Sequence, residues 1–542
     1  MKSSNKKLAI ILILFVIVST GFLLGRAWLQ AKNAPTNNDS PNVAESSQPP
    51  QPSQQATLTP EPIKPKPEDP IPQEKVDVVL IGSELEGLYL ARAAADEGLK
   101  VKILDPREAF GGQVLQGQML FLDETKDEQG KSLVQGRAKE LFDGFKNGKI
   151  RKLPEFTTYM EKLSRDIPIE SGITIGDIQT NQQAISSITY TTKNKEKKQI
   201  QASYWVDNTD FAALLSKLKV TRLPGLEKFY GQDQIEYMSA GMMMKFKNID
   251  WRKFNTTFNA LTQAEKNKRF GGGYVNESYA IGLSGMTSAY KPSNDRVFLR
   301  GLNAVSQRDD EVIINALLIY TIDPSDAKSV KEAVDLGNNE TKLILEHFRK
   351  TLPGWENAQI NGFPEYPYIR EYNHYEADYV LNPSDLLGGR TFWDNVSVGG
   401  YPLDLQGISA NKWGIEMGRP DKYGMPLRSF MLKNYDNVIM AGKNVGSSAI
   451  AYGSTRIQPN TSLAAESIGV ILGQIQGKQK LKELKEVDMA VLHKYLLERY
   501  QIKLTGFTST NKIAGWTEDE IRKLDTGEIT YPSYVNTRKN KK

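Results

Sequence analysis

The chain has 542 residues, 39% hydrophobic and 25% charged, with a formal net charge of +5, enough for two to three domains around a substantial core. Cysteine is absent, which excludes disulfides, thiolate metal sites, cysteine-ligated iron–sulfur clusters and a redox dithiol. The charge is spread along the chain, with no basic helix or zinc motif beside it, so neither a nucleic-acid partner nor a metal centre is expected.

Lys2, Lys6 and Lys7 precede Leu8 to Gly25, an uncharged, mostly apolar run of about 18 residues, near the minimum for spanning a bilayer. Arg26 and Lys32 form a weaker positive cluster behind it. The positive-inside rule then makes residues 1–7 a cytoplasmic stub and 8–28 a transmembrane signal anchor, with the rest outside. A cleaved signal peptide is the competing reading, but the run is long and no A-x-A site follows it. Residues 29–75 are rich in Pro, Gln, Ser and Asn, a composition that stays disordered and semi-extended. The expected localisation is the cell membrane of a Gram-positive bacterium, single-pass, with an extracellular C-terminal body.

That body opens on Val76–Asp105. The apolar run Val76–Ile81 reads as a buried parallel strand, Gly82–Gly87 as a glycine turn, and about Leu85–Glu97 as an amphipathic helix. Gly98 suits the helix C-cap, Val101–Leu104 is a second strand, and Asp105 ends it. Such a βαβ unit binds a dinucleotide: the glycine turn admits a pyrophosphate to the helix N-terminus, and the terminal acid bonds a ribose. Gly82, Ser83, Glu84 and Gly87 are the turn residues. Glu84 stands where the simplest motif has its central glycine, and a carboxylate there repels a pyrophosphate unless it points away or meets a cation. Pro106-Arg107-Glu108-Ala109-Phe110-Gly111-Gly112-Gln113 follows, where paired glycines let backbone run against a flat ligand.

VDVVLIG, Asp105 and FGGQVLQGQ together resemble flavoproteins of the FAD-dependent oxidoreductase superfamily with a glutathione-reductase-like cofactor domain. The resemblance implies FAD as cofactor, Asp105 on the adenosine ribose, and Arg107, Gly111, Gly112 and Gln113 along the ligand. A hairpin, Ala184–Thr192 and Lys198–Val206, ends in Asp207-Asn208-Thr209-Asp210. This resembles the family segment that returns beside the cofactor, and it adds Asn208 and Thr209.

In the middle of the chain Met242–Phe246, Val297–Gly301 and Val312–Tyr320 read as strands and Ser329–Leu352 as an amphipathic helix. The segment Tyr368–Leu381 and Tyr401-Pro402-Leu403-Asp404-Leu405-Gln406 follow the family order of an Arg-Glu segment and then Tyr-Pro-x-Asp, with Gln406 where a histidine is usual. Arg370 offers a fixed fork of donors for a carboxylate or a flavin carbonyl edge; an ion-pair network with Glu371 is the equal alternative. His374 titrates near neutrality, although a structural role is the stronger reading for it. Arg370, Tyr401 and Arg428 are the candidates for substrate or flavin contact.

The family match continues in Asp436–Asn444 and Ala451–Ser462, an apolar strand ending in Ala-Gly, then a helix entered through Pro459 and Thr461. It implies that Gly442, Asn444, Arg456 and Pro459 close the FAD site; Arg456 bracing the turn is the minority reading.

The expected fold class is α/β: an FAD-binding Rossmann-like βαβ domain from two chain segments (76–220 and 421–477), an inserted mixed α+β substrate domain (221–420), and a C-terminal helix and basic tail (478–542). The expected function is an extracytoplasmic, membrane-tethered FAD-dependent oxidoreductase, with a small-molecule substrate and an electron acceptor that the sequence does not name. A non-redox binding protein on a degenerate flavin fold, and a lyase or isomerase with structural flavin, stand as alternatives. The terminal run Arg538–Lys542 reads as a solvated tail, with cell-wall polyanions as its candidate contact.

Overall fold

The computed structural model describes residues 71–539. The expected anchor at 8–28, most of the spacer and the last three residues lie outside that range. Among the described residues no helix is long and apolar enough to cross a membrane.

Two seven-stranded sheets carry the chain. The first begins with β1 (Gln73–Ile81), followed by helix α1 (Leu85–Asp96) and β2 (Val101–Asp105). β1 and β2 run parallel, with Val78 opposite Val101 and Ile81 opposite Leu104. Both strands end in fully buried residues, as expected for a sheet covered on both faces. β1 starts at Gln73, so its first residues come from the segment read as spacer. Two strands follow, β3 (Ile169–Ser171) and β4 (Thr174–Asn181), separated at Gly172. The predicted hairpin is β5 (Ala184–Thr191) and β6 (Lys197–Asp207), paired antiparallel. β6 lies parallel to β1, with Ile81 opposite Asp207.

The second sheet contains β7 (Ala240–Lys247), β8 (Gly273–Val275), β9 (Tyr279–Gly282), β10 (Val297–Leu299), β11 (Leu302–Ser306) and β12 (Val312–Ile319). Its order is β13-β7-β12-β11-β9-β8 with β10 on β12, where β13 is Gln359–Ile360. All eight residues of β12 are buried. One face of this sheet is covered by helix α2 (Ala327–Thr351), whose first turn is capped by the Asp326 side chain accepting from Lys328 N–H. Met242 and Met244 are core residues here, in line with their apolar reading.

After β13 the chain forms two small two-stranded sheets before it rejoins the first. β14 (Asn395–Gly399) pairs with β17 (Tyr423–Pro426), and β15 (Asp404–Leu405) with β16 (Ile415–Glu416). β18 (Val438–Met440) then lies parallel to the end of β6, Met440 opposite Asp207. Helix α3 (Gln458–Ile475) is buried along almost its whole length and packs on α1. Helix α4 spans Glu486–Tyr500, and two shorter helices follow it at Glu518–Thr526 and Tyr531–Lys539. Its His493 is buried against the Asn395 carbonyl at 2.7 Å.

Candidate functional site

The ends of β1, β2 and β6 meet where the glycine turn opens. Gly82 has φ +95°, a conformation that a side chain would strain. Asp105 is fully buried and accepts from Ser83 N–H (2.9 Å), Ser83 Oγ, and the Arg107 backbone N–H (2.9 Å), Nε and Nη2 (both 3.2 Å). Asp207 Oδ1 accepts from Thr209 N–H and Oγ1 at 2.9 and 2.7 Å, Asn208 Oδ1 accepts from Gly87 N–H in the first turn of α1, and Asn444 Nδ2 donates to the Asp207 and Thr209 carbonyls at 3.1 and 3.0 Å. Gly442, with φ +60°, passes close against the Asn208 amide. Pro459 sits in the first turn of α3, where a missing N–H costs nothing.

Glu84 is the N-cap residue of α1, yet its side chain makes no capping bond to that helix. It crosses to the Gly-Gly segment instead. Its carboxylate accepts from Gln113 N–H at 3.0 Å and pairs with Arg107 Nη1. Gly112 has φ +51°, and a Cβ there would run into that carboxylate. Asp210 completes the cluster, accepting from Gln113 Nε2 and from Tyr366 Oη at 3.3 Å, with Arg107 at 3.8 Å. Burial alone would lower the Arg107 pKa, but Glu84, Asp105 and Asp210 outweigh it and hold it well above its ordinary value. Burial raises the Asp210 and Glu86 carboxyls, Glu84 pushing both further.

Cavities lie on either side of this cluster. One of about 600 Å³ is bordered by Pro106, Arg107, Phe211 and Tyr366. On the other side a narrow space of about 40 Å³ touches Glu84, Glu86, Gln113, Lys443 and Arg456. Through Asp123, Tyr368, Arg456 and Ile457 it adjoins a cavity of about 890 Å³.

The large cavity brings cofactor-end residues together with the second sheet. Arg370 is 2% exposed; Nη1 donates to the Ser239 carbonyl (2.8 Å), Nη2 to Asn315 Oδ1 (3.1 Å), and the guanidinium stacks 4.5 Å over the Tyr368 ring. Burial, with Arg300 and Arg456 nearby, pulls its pKa down to about 9. Asp123 is raised to about 6 by burial and by Asp404, against the pull of Arg300, Arg456 and Arg370. Asp123 and burial together raise the Tyr401 hydroxyl well above its usual value, so it stays protonated. Gln406 bonds to Arg300 and to Asp404, so a neutral amide fills the position expected for histidine.

Arg370, Tyr401 and Arg456 thus share one cavity. Arg428 does not line it. Its Nε and Nη2 hold the buried Asp394 at 2.9 and 3.1 Å, and it stacks on Trp393 and Tyr379. The expectation of a substrate contact there gives way to a structural ion pair. His374 pairs with Glu371 at 2.6 Å, buried edge-on against Tyr452, which is the structural role read for it. Asp123, Arg300 and Asn315 were not singled out from the sequence. The only local signal was the acidic pair Asp123-Glu124 closing the apolar run Met119–Leu122 after the Gly-Gly segment.

The sequence model of the family described as FAD dependent oxidoreductase matches residues 77–496, most of the chain. The chain belongs to that family. Its cofactor is FAD and its enzyme class oxidoreductase. Among curated proteins, thiamine thiazole synthase of Archaeoglobus fulgidus is 38% identical over 69 residues, 13% of this chain and about a quarter (24%) of that protein's length. Among solved structures, a geranylgeranyl bacteriochlorophyll reductase-like protein of Thermoplasma acidophilum aligns at 12% identity over 84% of this chain and 93% of its own, with a TM-score of 0.35. The p-nitrophenol 4-monooxygenase of Pseudomonas putida DLL-E4 aligns at 11% identity over 84% and 94%, TM-score 0.36. A myxobacterial FAD-dependent chondrochloren halogenase does so at 11% over 83% and 89%, TM-score 0.37. Likenesses this distant carry no argument about chemistry.

This chain's own residues fit FAD. Two roomy cavities flank a central place that already holds an anion, the Glu84 carboxylate, on a backbone amide and a guanidinium. Gln113 N–H, Arg107 and Lys443 are the groups that would hold a pyrophosphate, Asp105 a ribose, and Arg456 with the start of α3 the flavin end. Glu84 must yield its place for that to happen.

Proposed function

We propose that the protein is an extracytoplasmic FAD-dependent oxidoreductase, tethered to the membrane by residues 8–28, that acts on a small organic donor in the 890 Å³ cavity and passes electrons to a quinone, oxygen or another acceptor. One observation carries the reading: Tyr401, Asp404 and Arg456 from the cofactor end line the same cavity as Arg300, Asn315 and Arg370 from the second sheet and the segment after it. When bound, FAD supplies the two-electron acceptor. Arg370, fixed by Ser239, Asn315 and Tyr368, orients the donor. Asp123, poised near pH 6, takes the donor's proton. The protonated Tyr401 hydroxyl offers a hydrogen bond to the reacting group. The tether reading rests on the uncharged run Leu8–Gly25 and the spacer behind it. A Sec-type segment exports unfolded chains, so FAD joins the protein outside the membrane.

The full chain, purified in detergent, is expected to show flavin absorbance that bleaches anaerobically with a donor, and protease added to intact cells is expected to digest the body. Colourless protein that takes up no added FAD overturns the enzymatic reading. Protection from protease overturns the location.

A further inference from the structure

The large cavity is lined by six acidic and six basic side chains, yet two of its arginines have no acid paired with them. Arg300, Arg370 and Arg456 face Asp123 and Asp404. Arg456 has Asp404 at 3.8 Å. Among the described residues, neither Arg300 nor Arg370 has a carboxylate within ion-pair distance; their bonds go to neutral acceptors, Gln406 for the one and Ser239 and Asn315 for the other. Arg300 Nε and Arg456 Nε have no hydrogen-bond partner. Arg370 is buried and Arg300 half-buried, and a guanidinium held away from water without a counter-charge is one that proteins pair or let bind an anion. The mouth of the cavity differs. There the cations are matched, Lys126 with Glu124, Arg419 with Glu416 and Lys512 with Glu128. The guanidinium groups left without an acid are those of Arg300 and Arg370.

We propose that the substrate is a small organic acid whose carboxylate is held by Arg370 and Arg300 on the floor of this cavity. The inference rests on the reading of the cavity as the substrate site. With both acids ionised the floor carries one cation in excess, three guanidinium groups against two carboxylates, which matches a singly charged group. A phosphate or sulfate brings more charge close to Asp123 and Asp404 and is disfavoured for that reason. The planar guanidinium fork fits a planar carboxylate in a way that a lysine at either position would not.

The test uses the full-length protein in detergent, loaded with FAD. Calorimetry and the flavin difference spectrum measure binding of benzoate and glutarate against their neutral amides, benzamide and glutaramide, with sulfate and phosphate as further arms. The acids are expected to bind at least tenfold more tightly than the amides. Arg300→Gln is expected to erase most of that preference while the thermal melt and flavin content stay close to the parent, and Arg370→Lys to weaken acid binding less than Arg300→Gln with Arg370→Lys combined. Amides binding as tightly as acids, or an Arg300→Gln variant that keeps the full preference, overturns the proposal. So does sulfate or phosphate binding more tightly than either acid. If the flavin spectrum is absent, the enzymatic reading has failed, while calorimetry on the same sample still reports whether the floor selects a carboxylate.

Discussion

Glu84→Gln isolates the consequence of a carboxylate resting where a pyrophosphate would bind. The substitution keeps size and an acceptor oxygen for Gln113 N–H, now 3.0 Å from the carboxylate, and removes the charge. At about 6 Å and an effective dielectric of about 20, one carboxylate charge opposes one phosphate charge by about 3 kcal/mol. Moving the intact Glu84 aside also breaks charge-assisted bonds to Gln113 and Arg107, each worth about 1.5–3 kcal/mol. Rearrangement and solvent recover part of both, so FAD affinity is expected to rise by about 10- to 100-fold, roughly 1.4–2.8 kcal/mol. Arg107 keeps Asp105 and Asp210 as partners in the variant, so it is not left as an unpaired buried charge. The assay is titration of FAD-stripped protein followed by quenching of flavin fluorescence, with a thermal melt confirming the fold. Unchanged or weaker binding refutes the reasoning and shows that Glu84 is part of the FAD-bound arrangement.

Asp123 binds a proton in the folded chain up to about pH 6, above its unfolded value of 3.8, so it contributes a loss of stability as pH rises between the two. Asp123→Asn is expected to flatten that part of the stability profile and to remove the acidic limb of the rate profile; a limb that persists in the variant refutes its role as base. Gly112→Ala places a Cβ against Glu84 at a φ of +51° and is expected to cost about 1 kcal/mol for the backbone plus the displaced contact. In combination with Glu84→Ala the contact part disappears, and a urea-melt double-mutant cycle showing simple additivity would contradict the packing argument. Arg428→Ala leaves Asp394, fully buried, without its guanidinium. A loss of about 2 kcal/mol is expected, discounted from fully buried pairs because the Arg428 side chain is 35% exposed. Substrate KM is expected to stay unchanged; a large rise in KM at full stability returns Arg428 to the substrate site.

The βαβ unit was legible because its signals are local: apolar runs of strand length, a glycine turn and an acid at a strand end. The same holds for the hairpin at β5 and β6 and for the long amphipathic helix α2, predicted within two residues of its observed start. The cavity was not legible in that way. Asp123 and Arg300 each follow an apolar run, and only the tertiary approach of the second sheet to the cofactor end makes them charged neighbours. Arg428 misled for the converse reason, since its partner Asp394 lies 34 residues away in sequence and nothing local announces the pair. Glu84 was read as pointing away or meeting a cation. The cation is there, Arg107, and the Gln113 amide across the site joins it.

The pairing of β18 with β6 has a consequence for how the protein comes into being. Val438 lies opposite Trp205, with the whole second sheet threaded between them. Closing so long a loop precedes any reward from the contact, which makes this the slow step of folding rather than the early βαβ unit. β1 must wait for β6, and β6 in turn for β18. Cofactor capture therefore comes at the end of folding, and in the interval Arg107 and Glu84 keep each other's charge occupied.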